Sequence, residues 1–244
     1  MKHNVTKQTT AFFVTAPVPC PYLDGKLERR MVTDLSMTSS ITLHDKLSRV
    51  GFRRSHNLLY TPVCNNCSAC IAVRNVVNKF IPSNSHKRTL RINKTLTAYE
   101  TPARANHERF ELFSRYQEAR HTGGEMATMD YYDFQALVEE TTVITSHIDF
   151  YNKHGTLIGG CLVDVLEDGL SAVYSYFDPE HKKYSIGTYM ILWLIERAKK
   201  LGLQYVYLGY WIKGSQKMAY KDKFQPLEYY SSKGWLELSE YNLV

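Results

Sequence analysis

Between Lys46 and Tyr99 the chain has no aspartate and no glutamate. The same stretch holds ten basic residues (Lys46, Arg49, Arg53, Arg54, Arg74, Lys79, Lys87, Arg88, Arg91 and Lys94), in a chain whose net charge is only +6, so the remainder is net acidic. A positive field left uncompensated over one segment suits a polyanion, with nucleic acid first in line. Also lacking is any apolar run of the roughly 18–20 residues needed to cross a bilayer, which excludes a transmembrane helix. Met1-Lys2-His3-Asn4 leads into Phe12-Phe13-Val14 without the apolar core of a secretory signal, so the expected location is the cytoplasm. Five cysteines, an odd number, argue against a disulfide framework and favour reduced thiols. A chain of 244 residues with 44% hydrophobic content can bury one large core or two small ones.

What is present divides near residue 105. Pro17, Pro19 and Pro21 exclude a helix around Cys20. The pattern Leu43, Lys46, Leu47, Val50 predicts a short helix that stops at Gly51, with strands at 57–60 and 71–77. Pro82-Ser83-Asn84-Ser85 reads as a turn before the dense positive charge of 86–93. Phe110, Phe113 and Tyr116 lie at helical spacing in 108–120, and 129–141 is a second helix. From Thr142 the period changes: strands at 143–151, 157–166 and 170–177, the last pair joined through Asp168-Gly169. Ser185 is a plausible N-cap for a long apolar-faced helix ending at Gly202, followed by a strand at 203–208, a short helix at 217–224 and a last strand at 227–230. The expected fold is α+β: a GNAT-like acyltransferase core (antiparallel meander, long helix, parallel strand) over 106–244, preceded by a smaller basic, cysteine-containing domain over 1–105.

Cys64-x-x-Cys67-x-x-Cys70 with Cys20 can supply the four thiolates of a tetrahedral site for Zn²⁺ or an iron–sulfur cluster, or can simply be buried thiols. Cys161, alone in a strand, reads as core. The turn before the long helix, Lys182-Lys183-Tyr184-Ser185-Ile186-Gly187, has Ser185 where coenzyme-A-binding members of this fold have a first glycine, which counts against an acetyl-CoA donor. Lys182 and Lys183 still suit a phosphate at a helix N-terminus.

Gly51-Phe52-Arg53-Arg54-Ser55, Tyr60-x-Pro62-x-Cys64 through Arg74, Ser85-His86-Lys87-Arg88, Tyr205 through Trp211 and Met218-x-Tyr220-Lys221 resemble aminoacyl-tRNA–protein transferases. Cys20-Pro21-Tyr22 and the three spaced cysteines are similar to the bacterial branch, which moves leucine onto N-terminal Asp or Glu. The resemblance implies transfer of leucine from Leu-tRNA to the α-amine of such proteins, marking them for N-end rule degradation, with no cofactor needed for the chemistry and no DNA or membrane partner. An arginine donor is the alternative within the family, and a non-catalytic, metal-stabilised RNA-binding protein the alternative outside it. On this reading Tyr176, Asp178, Tyr207, Tyr210 and Lys221 are catalytic candidates. Arg53, Arg54, Arg74, Arg88, Arg91, Lys182, Ser185, Gly187, Tyr189 and Trp211 are candidates for binding the acidic substrate or tRNA.

Overall fold

The computed structural model describes residues 10–36 and 40–243, and the Lys182 side chain and the Met1–Asn4 reading lie outside what it describes. Short strands β1 (Phe13–Val14), β2 (Val18–Pro19), β3 (Leu27–Glu28) and β4 (Arg30–Asp34) precede helix α1 (Ser40–Ser48) and strands β5 (Arg53–Ser55) and β6 (Leu58–Pro62). β1-β4-β6-β5 form a four-stranded antiparallel sheet, and β2 pairs with β3. The chain continues through β7 (Ile71–Val76), α2 (Asn84–Ile92), β8 (Thr97–Pro102), α3 (His107–Arg120) and α4 (Tyr131–Glu139). The meander β9 (Thr145–Tyr151), β10 (Leu157–Val165), β11 (Gly169–Phe177) follows, then α5 (Ile186–Lys200), β12 (Tyr205–Trp211) and the hairpin β13 (Leu227–Ser231), β14 (Gly234–Glu237).

The large sheet runs β14-β13-β7-β12-β11-β10-β9-β8, and β11 and β12 are its parallel pair, joined by α5. This is the expected α+β order. The boundary near 105 falls in the loop between β8 and α3, yet it does not separate two sheets: β7 and β8 both belong to the large one, and β7 lies between β12 and β13. The part of the basic segment from β7 to β8 is therefore built into the large sheet, while β5 and β6 belong to the small one.

Strand alternation gives the sheet two apolar faces. Ile148, Phe150, Ile158 and Val163 pack with Met190, Leu194 and Ala198 of α5. Leu157, Leu162 and Tyr176 pack with Leu112 and Phe113 of α3 and Phe134 of α4. α2 went unrecognised as a helix. Its cap is a box in which the Ser83 hydroxyl accepts from the His86 N–H (3.2 Å) and His86 Nδ1 accepts from the Ser83 N–H (3.3 Å), so histidine stands where Glu or Gln is the usual signal.

The small sheet is clamped to the large one by charge. Arg54 donates from Nε and Nη2 to both oxygens of Asp164 at 2.7 Å, and His44 lies 3.3 Å from the same carboxylate. Burial opposes the charge on Asp164, but His44 and Arg54 prevail and hold its carboxyl at about 2. Its contribution to stability is present above the ordinary carboxylate range and is lost as pH falls toward 2. Arg54→Ala should cost about 3 kcal/mol, because it strips the buried Asp164 carboxylate of its bidentate cation and leaves only His44 and the Thr145 hydroxyl beside it. Urea midpoints should show the full deficit at pH 7 and a shrinking one below pH ~4.

Candidate active site

β11 and β12 pair over only three positions, Gly169↔Tyr205, Leu170↔Val206 and Ser171↔Tyr207, and then part. Against β7, β12 shifts register between Tyr207 and Gly209, where Gly209 has φ +80°. The parting leaves β11 carbonyls without a strand partner, and Arg53 of β5 fills the gap. Its Nη1 donates to Ser171 Oγ (3.0 Å) and its Nη2 to the Ala172 carbonyl. A Cβ on residue 209 would stand 3.2 Å from Arg53 Nε, so the close approach and the positive φ both require glycine there. On the turn Ala219–Lys223 after β12, the Lys221 ammonium donates to the Tyr210 carbonyl (2.5 Å) and lies 3.3 Å from Met218 Sδ. Arg53 is 8% exposed and Lys221 6%. Burial, reinforced by the Arg53 charge, brings the Lys221 ammonium down to about 7.

The end of β11 and the start of α5 form one rim of the gap where β11 and β12 part. Ser185 occupies the N-cap position of α5 but in a left-handed conformation (φ 50°), and its side chain makes no capping bond. A Cβ on Gly187 would stand 3.0 Å from the Phe177 ring, so glycine lets the helix start against the strand end. Asp178 is buried and builds the intervening turn: Oδ1 accepts from the Glu180 N–H (2.9 Å), while Arg115 and His181 lie 3.6 and 3.4 Å from Oδ2. α2 is tied to this rim by Asn93, whose Nδ2 donates to the Tyr184 carbonyl (2.7 Å). Its outer surface carries Lys87, Arg88 and Arg91, all exposed, with exposed Lys94 just beyond the helix.

Residues passed over in the sequence join the rim from α3. Tyr116 packs 4.9 Å from Phe177, Arg120 stands 5.6 Å over the same ring, and burial together with Lys217 and Arg120 lowers the pKa of His121. The only signal was Tyr116 ending the stripe begun by Phe110 and Phe113, which reads as core.

Several candidates do not line the opening. Tyr176 is 2% exposed, with its hydroxyl 2.9 Å from His147 Nε2 inside a network that runs through Asp149 to Arg109. Burial raises its pKa well above the usual tyrosine value. The Tyr207 hydroxyl is held between Asp168 (3.0 Å) and Arg74 (3.1 Å). The Tyr210 hydroxyl lies 3.1 Å from both the Gly51 and Tyr60 carbonyls, joining the two sheets. Arg74 is ion-paired to Glu228 (2.7 Å) and stacked 3.5 Å over Tyr205 and 4.2 Å over Trp235, so no face remains for RNA. Arg54 is the clamp described above. Tyr189 packs against Phe150, and Trp211 packs against Tyr241. Period-2 alternation in β11 and β12 and helical period in α5 could not say which side faced the opening.

Cys20, Cys64, Cys67 and Cys70 are half-buried free thiols that converge: burial and then the neighbouring Cys20, Cys64 and Cys67 push the Cys70 thiol up to about 12. Cys64 Sγ contacts the Arg29 backbone N–H (3.4 Å) and carbonyl (3.7 Å). Among the described residues no group of three or more His, Cys, Asp or Glu side chains is arranged to hold a metal ion. No step of the chemistry is routed through these thiols.

A meander, helix and parallel strand that part beside two buried cations make up an acyltransferase-like fold. The solved structure of FemX shares the fold, with a TM-score of 0.54 at 9% identity over 89% of this chain and 74% of that one. Family models for the N terminus and C terminus of arginine-tRNA-protein transferase match residues 18–88 and 108–231. The aspartate/glutamate leucyltransferase of Paramagnetospirillum magneticum is 51% identical over 96% of both chains, and that of Gluconacetobacter diazotrophicus 47% identical over 100% of this chain and 94% of its own. The chain belongs to the aminoacyl-tRNA–protein transferase family and is a transferase.

Replacing Lys221 tests its depressed pKa. Below pH ~7 the folded state carries a buried ammonium that the unfolded chain solvates, and this penalty is relieved as pH rises from about 7 toward the usual lysine value. Lys221→Met should therefore gain Tm relative to wild type at pH 6, and the gain should be smaller at pH 9, as read by calorimetry.

Proposed function

We propose that this chain transfers leucine from leucyl-tRNA to the α-amine of proteins beginning with Asp or Glu, in the cytoplasm, marking them for N-end rule degradation. The relatives' names support the donor and acceptor. The observation that carries the tRNA half is the α2 face: Lys87, Arg88 and Arg91, with Lys94 beyond, in a segment without a single acidic residue, on a helix bonded to the rim of the opening. Phosphates of the acceptor arm lying along α2 bring the 3′ end to the start of α5. There the uncapped N–H groups and Lys183 favour the negative charge of the donor.

In the reaction the amine nitrogen attacks the ester carbonyl carbon, a C–N bond forms, and the bond to the ribose 3′ oxygen breaks. The departing oxygen takes up one proton as the amine loses one. An aminoacyl ester is already activated, so juxtaposition and stabilisation of the oxyanion carry most of the work. An α-amine with pKa about 7.7–8.0 is mostly protonated at neutral pH, so rate should rise from pH 6 toward pH 8. Zn²⁺ or an iron–sulfur cluster at the four thiols belongs to this proposal only as a clip for the Cys20 arm, supported by their convergence. Metal analysis of purified protein, and loss of that metal with a lower Tm in Cys20→Ser, test it.

Purified protein supplied with labelled Leu-tRNA or Arg-tRNA and peptides beginning with Asp, Glu, Lys or Ala should move leucine onto the Asp and Glu peptides. Arginine transfer instead would replace the donor and keep the family. Lys87→Glu/Arg88→Glu/Arg91→Glu should raise the KM for Leu-tRNA at least about tenfold. It should also lower the slope of log affinity against log salt by roughly 1 per phosphate contact removed.

A further inference from the structure

Four arginines of the described structure are buried, and three of them have carboxylate partners: Arg54 with Asp164, Arg74 with Glu228 and Arg109 with Asp149. Arg53 is the exception. Its hydrogen-bond partners are a serine hydroxyl and a backbone carbonyl, and Lys221, the buried lysine, is likewise held by a carbonyl and a thioether sulfur. Among the described residues neither cation lies within 4.0 Å of a carboxylate oxygen. Two buried like charges acting on each other without an anion are unfavourable on their own, since desolvation and repulsion add. They become favourable once an anion joins them.

We infer that Arg53 and Lys221 form the receptor for the side-chain carboxylate of the acceptor's first residue, an inference that rests on the transfer reading above. The donors fit. Of five guanidinium N–H groups only two are accounted for by Ser171 and Ala172, and the ammonium keeps an N–H beyond those directed at Tyr210 and Met218. Planar guanidinium and point-like ammonium together suit a carboxylate. The place fits as well. The carboxyl of Asp or Glu is only two or three bonds from the α-carbon that bears the attacking amine, so its receptor must adjoin the acyl site. Arg53 sits where β11 and β12 part, and Lys221 bonds the end of β12. Near-complete burial selects for a single short side chain over a nucleic-acid backbone, which meets the exposed cations of α2 instead. An Asn or Gln acceptor of the same shape brings no charge and leaves both cations uncompensated, which is the source of selectivity.

The test compares peptides that differ only in Asp against Asn at position 1, with wild type, Lys221→Met, Lys221→Arg and Arg53→Lys. Taking the Asp/Asn ratio of kcat/KM within one preparation cancels any unfolded fraction, so a poorly folding Arg53 variant still reports. Lys221→Met should cut kcat/KM for the Asp peptide about 30- to 1,000-fold, through KM, and collapse the Asp/Asn ratio. The KM for Leu-tRNA should stay within about twofold of wild type. Lys221→Arg should keep part of the ratio. An unchanged Asp/Asn ratio in both Lys221→Met and Arg53→Lys, or a change confined to the KM for Leu-tRNA, overturns the receptor. Wild-type protein that transfers leucine without preferring Asp over Asn overturns the acidic-acceptor reading and the receptor with it, whereas wild-type selectivity kept by the variants sinks the receptor alone.

Discussion

Everything at the working end of this molecule follows from how briefly β11 and β12 stay together. A parallel pair held over three residues and then opened by Gly209 leaves unpaired strand carbonyls in the middle of an otherwise continuous sheet. Such groups need partners, because an orphaned buried carbonyl costs free energy comparable to a lost hydrogen bond. The chain supplies one from another sheet: Arg53 reaches across to the Ala172 carbonyl, and the cation arrives at the reaction opening as a consequence of satisfying the backbone. The small N-terminal sheet is thus more than an appendage. Its β5 places Arg53 and Arg54 side by side, and the two opposite outcomes, one cation neutralised by Asp164 and one left without an anion, separate fastening from function.

The same segment carries the cations proposed to hold the donor. Acids are missing from 46–99 altogether, and the structure distributes the resulting cations by depth. Arg54 and Arg74 are buried and consumed by carboxylates from elsewhere in the chain; Lys87, Arg88 and Arg91 stay in solvent on α2. Charge density along the sequence could not make this distinction. An arginine in a strand that alternates in and out of a core is assigned by what faces it, and the facing residues, Glu228 and Asp164, are 154 and 110 positions away.

That separation accounts for how much was legible. Elements with strong local periodicity were readable: α3, α4, α5 and the meander all lie within a few residues of their expected places. What was lost was non-local. α2 lacks an apolar stripe and uses histidine in its cap, β8 is an edge strand with mixed burial, and the division at 105 ignored that β7 inserts between β12 and β13. For the site, motif resemblance named Arg53 and Lys221, the two cations on which the proposed receptor is built. It also swept in Tyr176, Tyr207 and Tyr210, because a tyrosine that ties two layers together and a tyrosine that moves a proton look alike in one dimension. Only hydroxyl partners separate them, and here all three hydroxyls are engaged with protein groups.

A fold best known for coenzyme donors carries an RNA-borne donor here through a change in where its cations lie. With Ser185 left-handed and uncapped, the start of α5 keeps its free N–H groups for negative charge, although the glycine that would let a pyrophosphate approach is absent. A duplex acceptor arm is too large to be held by a loop of that size, so its binding energy must come from a surface, and α2 stands beside the loop, tethered through Asn93. In the proposed reading remote contacts along α2 hold the donor, which leaves the opening itself to discriminate the acceptor. The unpaired charges of Arg53 and Lys221 weaken the empty protein, and that weakness is what an acidic first residue relieves. Stability given up in the resting state becomes affinity for one class of N terminus, which is why these two cations are buried yet have no carboxylate of their own.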